Sequence, residues 1–136
     1  MIVVDSSAII AFAFGEPEAE AFFGILTSAE KCLCSPVTFT ECAMVLIGQR
    51  ATTPLIEVQN LFWMLTIEVA EAEPAQGLLA ADAFMRFGKG RHPDRLNLGD
   101  CFSYALAKSL NAPLLYKGDD FSQTDVVSAV ATDARS

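Results

Sequence analysis

Short β-branched apolar runs alternating with helical patterns predict an α/β protein built on a parallel sheet. Three observations carry that expectation. The chain opens on MIVVD, an apolar run that stops abruptly at a carboxylate. Two Ser/Thr-Pro steps, Ser35-Pro36 and Thr53-Pro54, read as helix starts. The run Leu114-Leu115-Tyr116 follows directly on a helical pattern closed by Asn111-Ala112-Pro113, as the last strand of such a sheet would.

The elements follow in order. Residues 1–4 are continuously apolar and β-branched, the pattern of a strand buried on both faces. Residues 6–14 are apolar without alternation and end at Gly15, a helix with its stop. Within 16–28, Ala19, Phe22, Phe23 and Leu26 recur at helical spacing, and Pro17 suits a first turn. Residues 32–34 form a second short strand. Ser35 then caps a helix with Pro36 in its first position, running to residue 50, and Thr53-Pro54 starts another that runs to residue 66. Residues 67–69 are a third strand and 74–87 a further helix. Asn97 opens the helix LGDCFSYALAKSL; 114–116 is the final strand, KGDDF a turn, and DVVSAV an edge strand.

At 136 residues, 52% of them hydrophobic, the chain predicts one domain, 1–136, with a core that needs no staples. A charged fraction of 19% argues against disorder. Cys32, Cys34, Cys42 and Cys101 form no C-x-x-C pair, and His92 is the single histidine, which argues against a zinc site. The thiols read as reduced and buried. No apolar run reaches the ~18 residues of a membrane span. Asp5 interrupts the first apolar stretch, and no basic residue precedes it, so a secretory leader is not expected. The expectation is a soluble, cytoplasmic protein without a membrane partner.

The net charge of −8 argues against sequence-independent binding of nucleic acid. The distribution says more than the sum. Arg86, Lys89, Arg91 and Arg95 are four of the nine basic residues and fall in RFGKGRHPDR, with His92 among them. The stretch reads equally as a solvated loop or as a loop contacting phosphates.

In parallel α/β sheets ligands bind beyond the carboxyl ends of the strands. Asp5 sits at one such end, and Asp119 and Asp120 just past another. Each acid has an ordinary explanation: Asp5 as an N-cap, Asp100 as an acid in a first helical turn, Asp119 and Asp120 as turn formers. Glu41 lies well inside an apolar helix, so it either faces solvent or points at something. Together they suggest more. Carboxylates converging at one sheet edge repel one another unless a cation neutralises them. An all-oxygen set suits Mg²⁺ or Mn²⁺, which can lower the pKa of water and clamp a phosphodiester.

The segments VVDSSAIIAF, Thr40-Glu41, LNLGDCFSYALAK and LLYKGDDFSQTD together resemble the PIN-domain ribonucleases, most closely the VapC-type toxins of type II toxin–antitoxin modules. The likeness spans essentially the whole chain, with the second pair of segments the more specific. It implies a three-layer α/β/α fold with a central, mostly parallel sheet, and Mg²⁺- or Mn²⁺-dependent endonucleolytic cleavage of RNA. It gives the metal-holding and catalytic roles to Asp5, Glu41 and Asp100. The fourth acid is Asp120 ahead of Asp119, because relatives often carry asparagine in the first of these positions. Asp125 is a further candidate outside the first ring of ligands. Ser7 is implied to hydrogen-bond a carboxylate or the water held there. Arg86, Lys89, Arg91, His92 and Arg95 are candidate RNA-phosphate contacts. The resemblance also implies a homodimer and a VapB-like antitoxin. Apolar stripes on the helices of 16–28 and 53–66 read either as core or as the seat of such a partner.

Two other readings compete. A haloacid-dehalogenase-like phosphatase needs a second aspartate two residues after the first, where this chain has Ser7. A non-catalytic acidic metal-binding module would keep the acids without turnover.

Overall fold

Three consecutive β-branched or apolar residues with no polar alternate belong at the centre of a sheet, and β1 (Ile2–Val4) lies there. The computed structural model describes residues 1–88 and 96–130. Along these run β1, α1 (Ser6–Ala13), α2 (Ala19–Ser28), β2 (Cys32–Cys34), α3 (Pro36–Gln49), α4 (Leu55–Met64), β3 (Ile67–Val69), α5 (Pro74–Phe87), α6 (Leu98–Leu110) and β4 (Leu114–Leu115). The described strands are all parallel, in the order β3-β2-β1-β4. The chain steps outward from β1 to β3, then crosses to the other side of β1 to lay down β4. The strand order therefore reverses between β1 and β4, the place where such sheets open a crevice.

Alternation along β1 sorts the helices into two layers. Ile2 and Val4 join Cys32, Cys34 and Ile67 against Ile9 of α1, Phe22 and Leu26 of α2, Cys42 of α3, and Val58 and Phe62 of α4. Val3 joins Leu114 against Ala80, Ala83 and Phe87 of α5 and Tyr104 to Ala107 of α6. The sheet is thus sandwiched in three layers, as expected.

Caps explain most of the boundaries. The Ser35 hydroxyl accepts the Val37 N–H at 3.0 Å, with Pro36 opening α3. Asn111 closes α6 in the left-handed region, φ 52°. Thr53 does not cap α4: its own N–H donates to Arg50 O at 2.9 Å, so 50–53 is a turn and Pro54 stands at the cap. α2 starts later than expected, because Gly15, φ 64°, and an Ala19 N–H to Glu16 O bond of 2.9 Å commit 15–19 to a turn.

The expected edge strand over DVVSAV shrinks to one bridge. Leu114 donates to Val127 O and accepts from the Ala129 N–H, both at 2.8 Å. A two-residue β4 offers that segment a single pairing position. All four cysteines are buried and unpaired, and burial lifts Cys34 to about 12 and Cys101 to about 11. They are packing thiols, not nucleophiles. Among the described residues no helix is long and apolar enough to cross a membrane.

Candidate active site

Asp5 occupies the joint where β1 hands over to α1. Its N–H donates to Leu115 O of β4 at 2.9 Å, and its carboxylate accepts the Ser7 N–H at 3.0 Å as the cap of α1. The residue is only 2% exposed, and a buried carboxylate needs further donors. The Ser103 hydroxyl of α6 supplies one, at 2.6 Å to Oδ1. Ser103 Oγ also lies 3.3 Å from Thr38 Oγ1 of α3, so a buried hydroxyl pair links the two helices beside the acid.

Glu41 lies one turn after Thr38 on α3, half-buried, and its Oε1 accepts the Ser6 hydroxyl at 3.1 Å. Burial raises its carboxyl above the ordinary range; the Asp5 charge adds to this, and the Ser6 bond opposes it. Asp100 is 7% exposed and forms a capping box with Asn97. The Asp100 N–H donates to Asn97 Oδ1 at 2.9 Å, and the Asn97 N–H donates to Asp100 Oδ2 at 3.1 Å. Burial pushes the Asp100 carboxyl up to about 7, helped by the charges of Asp5, Asp120 and Glu41, against the pull of the Asn97 N–H.

Asp120 is exposed on the turn after β4 yet stands within electrostatic reach of Asp100. Asp119 precedes it on the same turn, and its carbonyl accepts the Ser122 N–H at 3.1 Å. Gly118, φ 94°, makes this turn possible. The turn is pinned on both sides. The Lys117 N–H donates to Ser7 Oγ at 2.9 Å, and the Lys117 ammonium pairs with Glu16 at 2.6 Å and Glu18 at 3.2 Å. Phe121 is buried against the Tyr116 ring, centroids 5.0 Å apart.

Some expected roles fall elsewhere. The Ser6 and Ser103 hydroxyls bond Glu41 and Asp5, whereas the Ser7 hydroxyl holds the turn that carries Asp120. Asp125 accepts the Tyr104 hydroxyl and pairs with Lys108 at 3.2 Å, so it fastens the C-terminal segment to α6 and does not support the acids. Arg86 stacks 4.7 Å over the Phe87 ring and pairs with Asp82 at 3.7 Å and Asp125 at 4.0 Å. Lys89, Arg91, His92 and Arg95 lie outside the described residues.

Sequence reasoning missed Ser103, Thr38 and Ser6, and read Asn97 as the start of α6 without its bond to the Asp100 carboxylate. Two had a signal: Ser103 and Thr38 stand three residues from Asp100 and Glu41, on the same helical faces. Removing Ser103 Oγ leaves Asp5 short of a buried donor. Ser103→Ala is expected to lower turnover about 10- to 100-fold, the usual cost of losing a group that orients a ligand. Its folding stability should fall by about 1–2 kcal/mol. Single-turnover assays beside urea melts check this; an unchanged rate would make Ser103 a packing residue.

Among the described residues no three acidic, cysteine or histidine side chains stand close enough to enclose an ion as they lie. Each acid instead leans on its own donor: Asp5 on Ser7 and Ser103, Glu41 on Ser6, Asp100 on Asn97. The donor set nevertheless fits a hard divalent cation. It is all oxygen, gathered from three elements at one sheet edge, and close enough for its charges to act on one another.

Fold and site define a class: a parallel-sheet α/β/α protein whose carboxylates gather where the strand order reverses. The family model described as PIN domain matches residues 2–127. Ribonuclease VapC30 of Mycobacterium tuberculosis is 35% identical over 127 residues, covering 93% of this chain and 97% of that protein. Ribonuclease VapC28 of the same organism is 38% identical over 130 residues, covering 95% and 98%. The crystal structure of M. tuberculosis VapC20, a sarcin-ricin loop cleaving toxin, superposes with a TM-score of 0.73 at 16% identity, covering 93% of this chain and 97% of that one. The chain belongs to the PIN-domain family, in its VapC branch.

Proposed function

We propose that this chain is the endoribonuclease toxin of a VapBC-type module, hydrolysing RNA phosphodiester bonds with Mg²⁺ or Mn²⁺ held by Asp5, Glu41, Asp100 and Asp120. The observation that carries this reading is the meeting of carboxylates from the end of β1, from α3 and from α6 at the switch point, with Asp100 raised to about 7 by burial and their charges. PIN-domain nucleases are metal-dependent as a class. A bound divalent ion would supply charge neutralisation for the attacked phosphate and a lowered pKa for the attacking water. The chain's own residues do the rest. Ser103 and the Ser7 N–H fix the Asp5 carboxylate, Ser6 steers Glu41, and Asn97 orients Asp100. The Ser7 hydroxyl holds the turn that brings Asp120 within reach. One P–O bond forms to water, and the bond to the leaving ribose oxygen breaks, that oxygen taking up a proton.

A VapB-type antitoxin and a second copy of the chain are the partners this reading calls for. The stripe on α2 is largely core, with Phe22 and Leu26 buried. α4 is different: Leu55, Ile56 and Met64 are about half exposed and Trp63 is 85% exposed. A groove of about 500 Å³ lined by Phe12, Phe14, Leu46, Leu61 and Met64 runs alongside. An apolar face of this kind suits the helix of an antitoxin.

Cleavage of purified total RNA tests the activity. Discrete fragments are expected with Mg²⁺ or Mn²⁺ and none with excess EDTA. Ion-independent cleavage, or release of inorganic phosphate without chain scission, would overturn the reading.

A further inference from the structure

We propose that Gly99 is a positioning residue for Glu41: its bare Cα is what allows the Glu41 carboxylate to sit against the first turn of α6. The inference rests on Glu41 holding the divalent ion.

A glycine in a helix costs stability relative to alanine, about 0.5–1 kcal/mol. Gly99 has an ordinary helical backbone, so no left-handed conformation demands it. The helical glycines Gly24, Gly48 and Gly77 would place a Cβ in open space. Gly99 would not. Its Cβ would fall well inside 3.0 Å of Oε1, Oε2 and Cδ of Glu41, closer than real Cβ atoms come. The nearest atoms in the way all belong to the end of one flexible side chain, and none to backbone.

That decides what must move. The helix can keep its place and the carboxylate cannot. Glu41 Oε1 is held from the other side by the Ser6 hydroxyl at 3.1 Å. A methyl group at 99 pushes the carboxylate off that donor and away from its place beside Asp5 and Asp100. Gly99→Ala therefore leaves a folded protein whose Glu41 no longer points into the site.

The test is a double-mutant cycle on Mn²⁺ affinity, measured by titration calorimetry on the full chain without RNA. The four proteins are the wild type, Gly99→Ala, Glu41→Ala and the double variant. Gly99→Ala is expected to weaken Mn²⁺ binding about 10- to 100-fold, and to do so only while Glu41 is present. The double variant should bind no worse than Glu41→Ala. Melting in EDTA should show Gly99→Ala folded. If it fails to fold, a folded double variant reports the same clash as stability, and an unfolded one overturns the proposal. Equal losses in both backgrounds, or no loss in either, overturn it while leaving Glu41 as a ligand. An unchanged affinity in Glu41→Ala overturns both the proposal and the reading of Glu41 beneath it.

Discussion

Asp100→Asn abolishes cleavage and makes the ion-free protein more stable: those are the two results expected from one substitution. The carboxyl sits at about 7 in the folded protein, against an ordinary 3.8. Between those values the folded state holds a proton that the unfolded chain gives up, so stability falls as pH rises through the window. By pH 8 the wild type carries the full penalty of a buried, repelled carboxylate. Asparagine carries none, and its side-chain oxygen can still accept the Asn97 N–H that closes the capping box. We expect a gain of about 2 kcal/mol at pH 8, several degrees in melting temperature, shrinking toward zero at pH 4. Cleavage should drop at least about 100-fold, the scale seen when one transition-state stabilising group is lost. Melts in EDTA across pH 4–8, beside an RNA cleavage assay, decide the matter. A variant that melts lower than the wild type at pH 8 would show that Asp100 serves the fold first. The same carboxyl links ion and proton. Both compete for its oxygens, so Mn²⁺ should bind more tightly as pH rises through about 7.

Asp5 separates its two jobs through two substitutions. Asp5→Ala removes the cap of α1 and leaves the Ser7 N–H and the Ser103 hydroxyl without their acceptor, in a place that is 2% exposed. The loss should be about 2–4 kcal/mol. Asp5→Asn keeps an oxygen for the Ser7 N–H and should cost about 1 kcal/mol. Both should lose cleavage, because neither offers a charged ligand. Denaturant melts give the first ranking, and RNA fragment yield the second. Full cleavage by Asp5→Asn would reduce Asp5 to a helix cap.

The local half of the structure was readable and the tertiary half was not. Ser35-Pro36, Asn97 and the β-branched opening run carry their conformational instructions within a few residues, and the elements formed where those instructions lie. Thr53 failed as a cap because its N–H closes a turn on Arg50 and the helix begins only at Leu55, which leaves Pro54 at the cap position, an offset that Ser/Thr-Pro alone does not encode. The last segment failed as a strand because pairing needs a neighbour longer than β4. In the site, the acids stood out because a carboxylate at a strand end or in an apolar helix is locally odd. The hydroxyls did not. Ser6 and Ser7 are adjacent and chemically alike, and only the position of α3 and of the turn after β4 decides which one meets an acid. Gly99 looked like any helical glycine until Glu41, far away in sequence, was placed over it.

The position of β4 beside β1 also sets when the site comes into being. A chain emerges from the ribosome N-terminus first, so Asp5, Glu41 and Asp100 are all made before Leu115, whose carbonyl receives the Asp5 N–H. Val3 finds its partner Leu114 only at the far end of the sequence, a long loop to close and a slow contact to make. Asp120 arrives later still. The acidic centre is thus complete only once the last strand is seated beside β1 and the turn after it has brought in Asp120. A growing chain surrounded by ribosomal and messenger RNA carries the parts of a nuclease without being one.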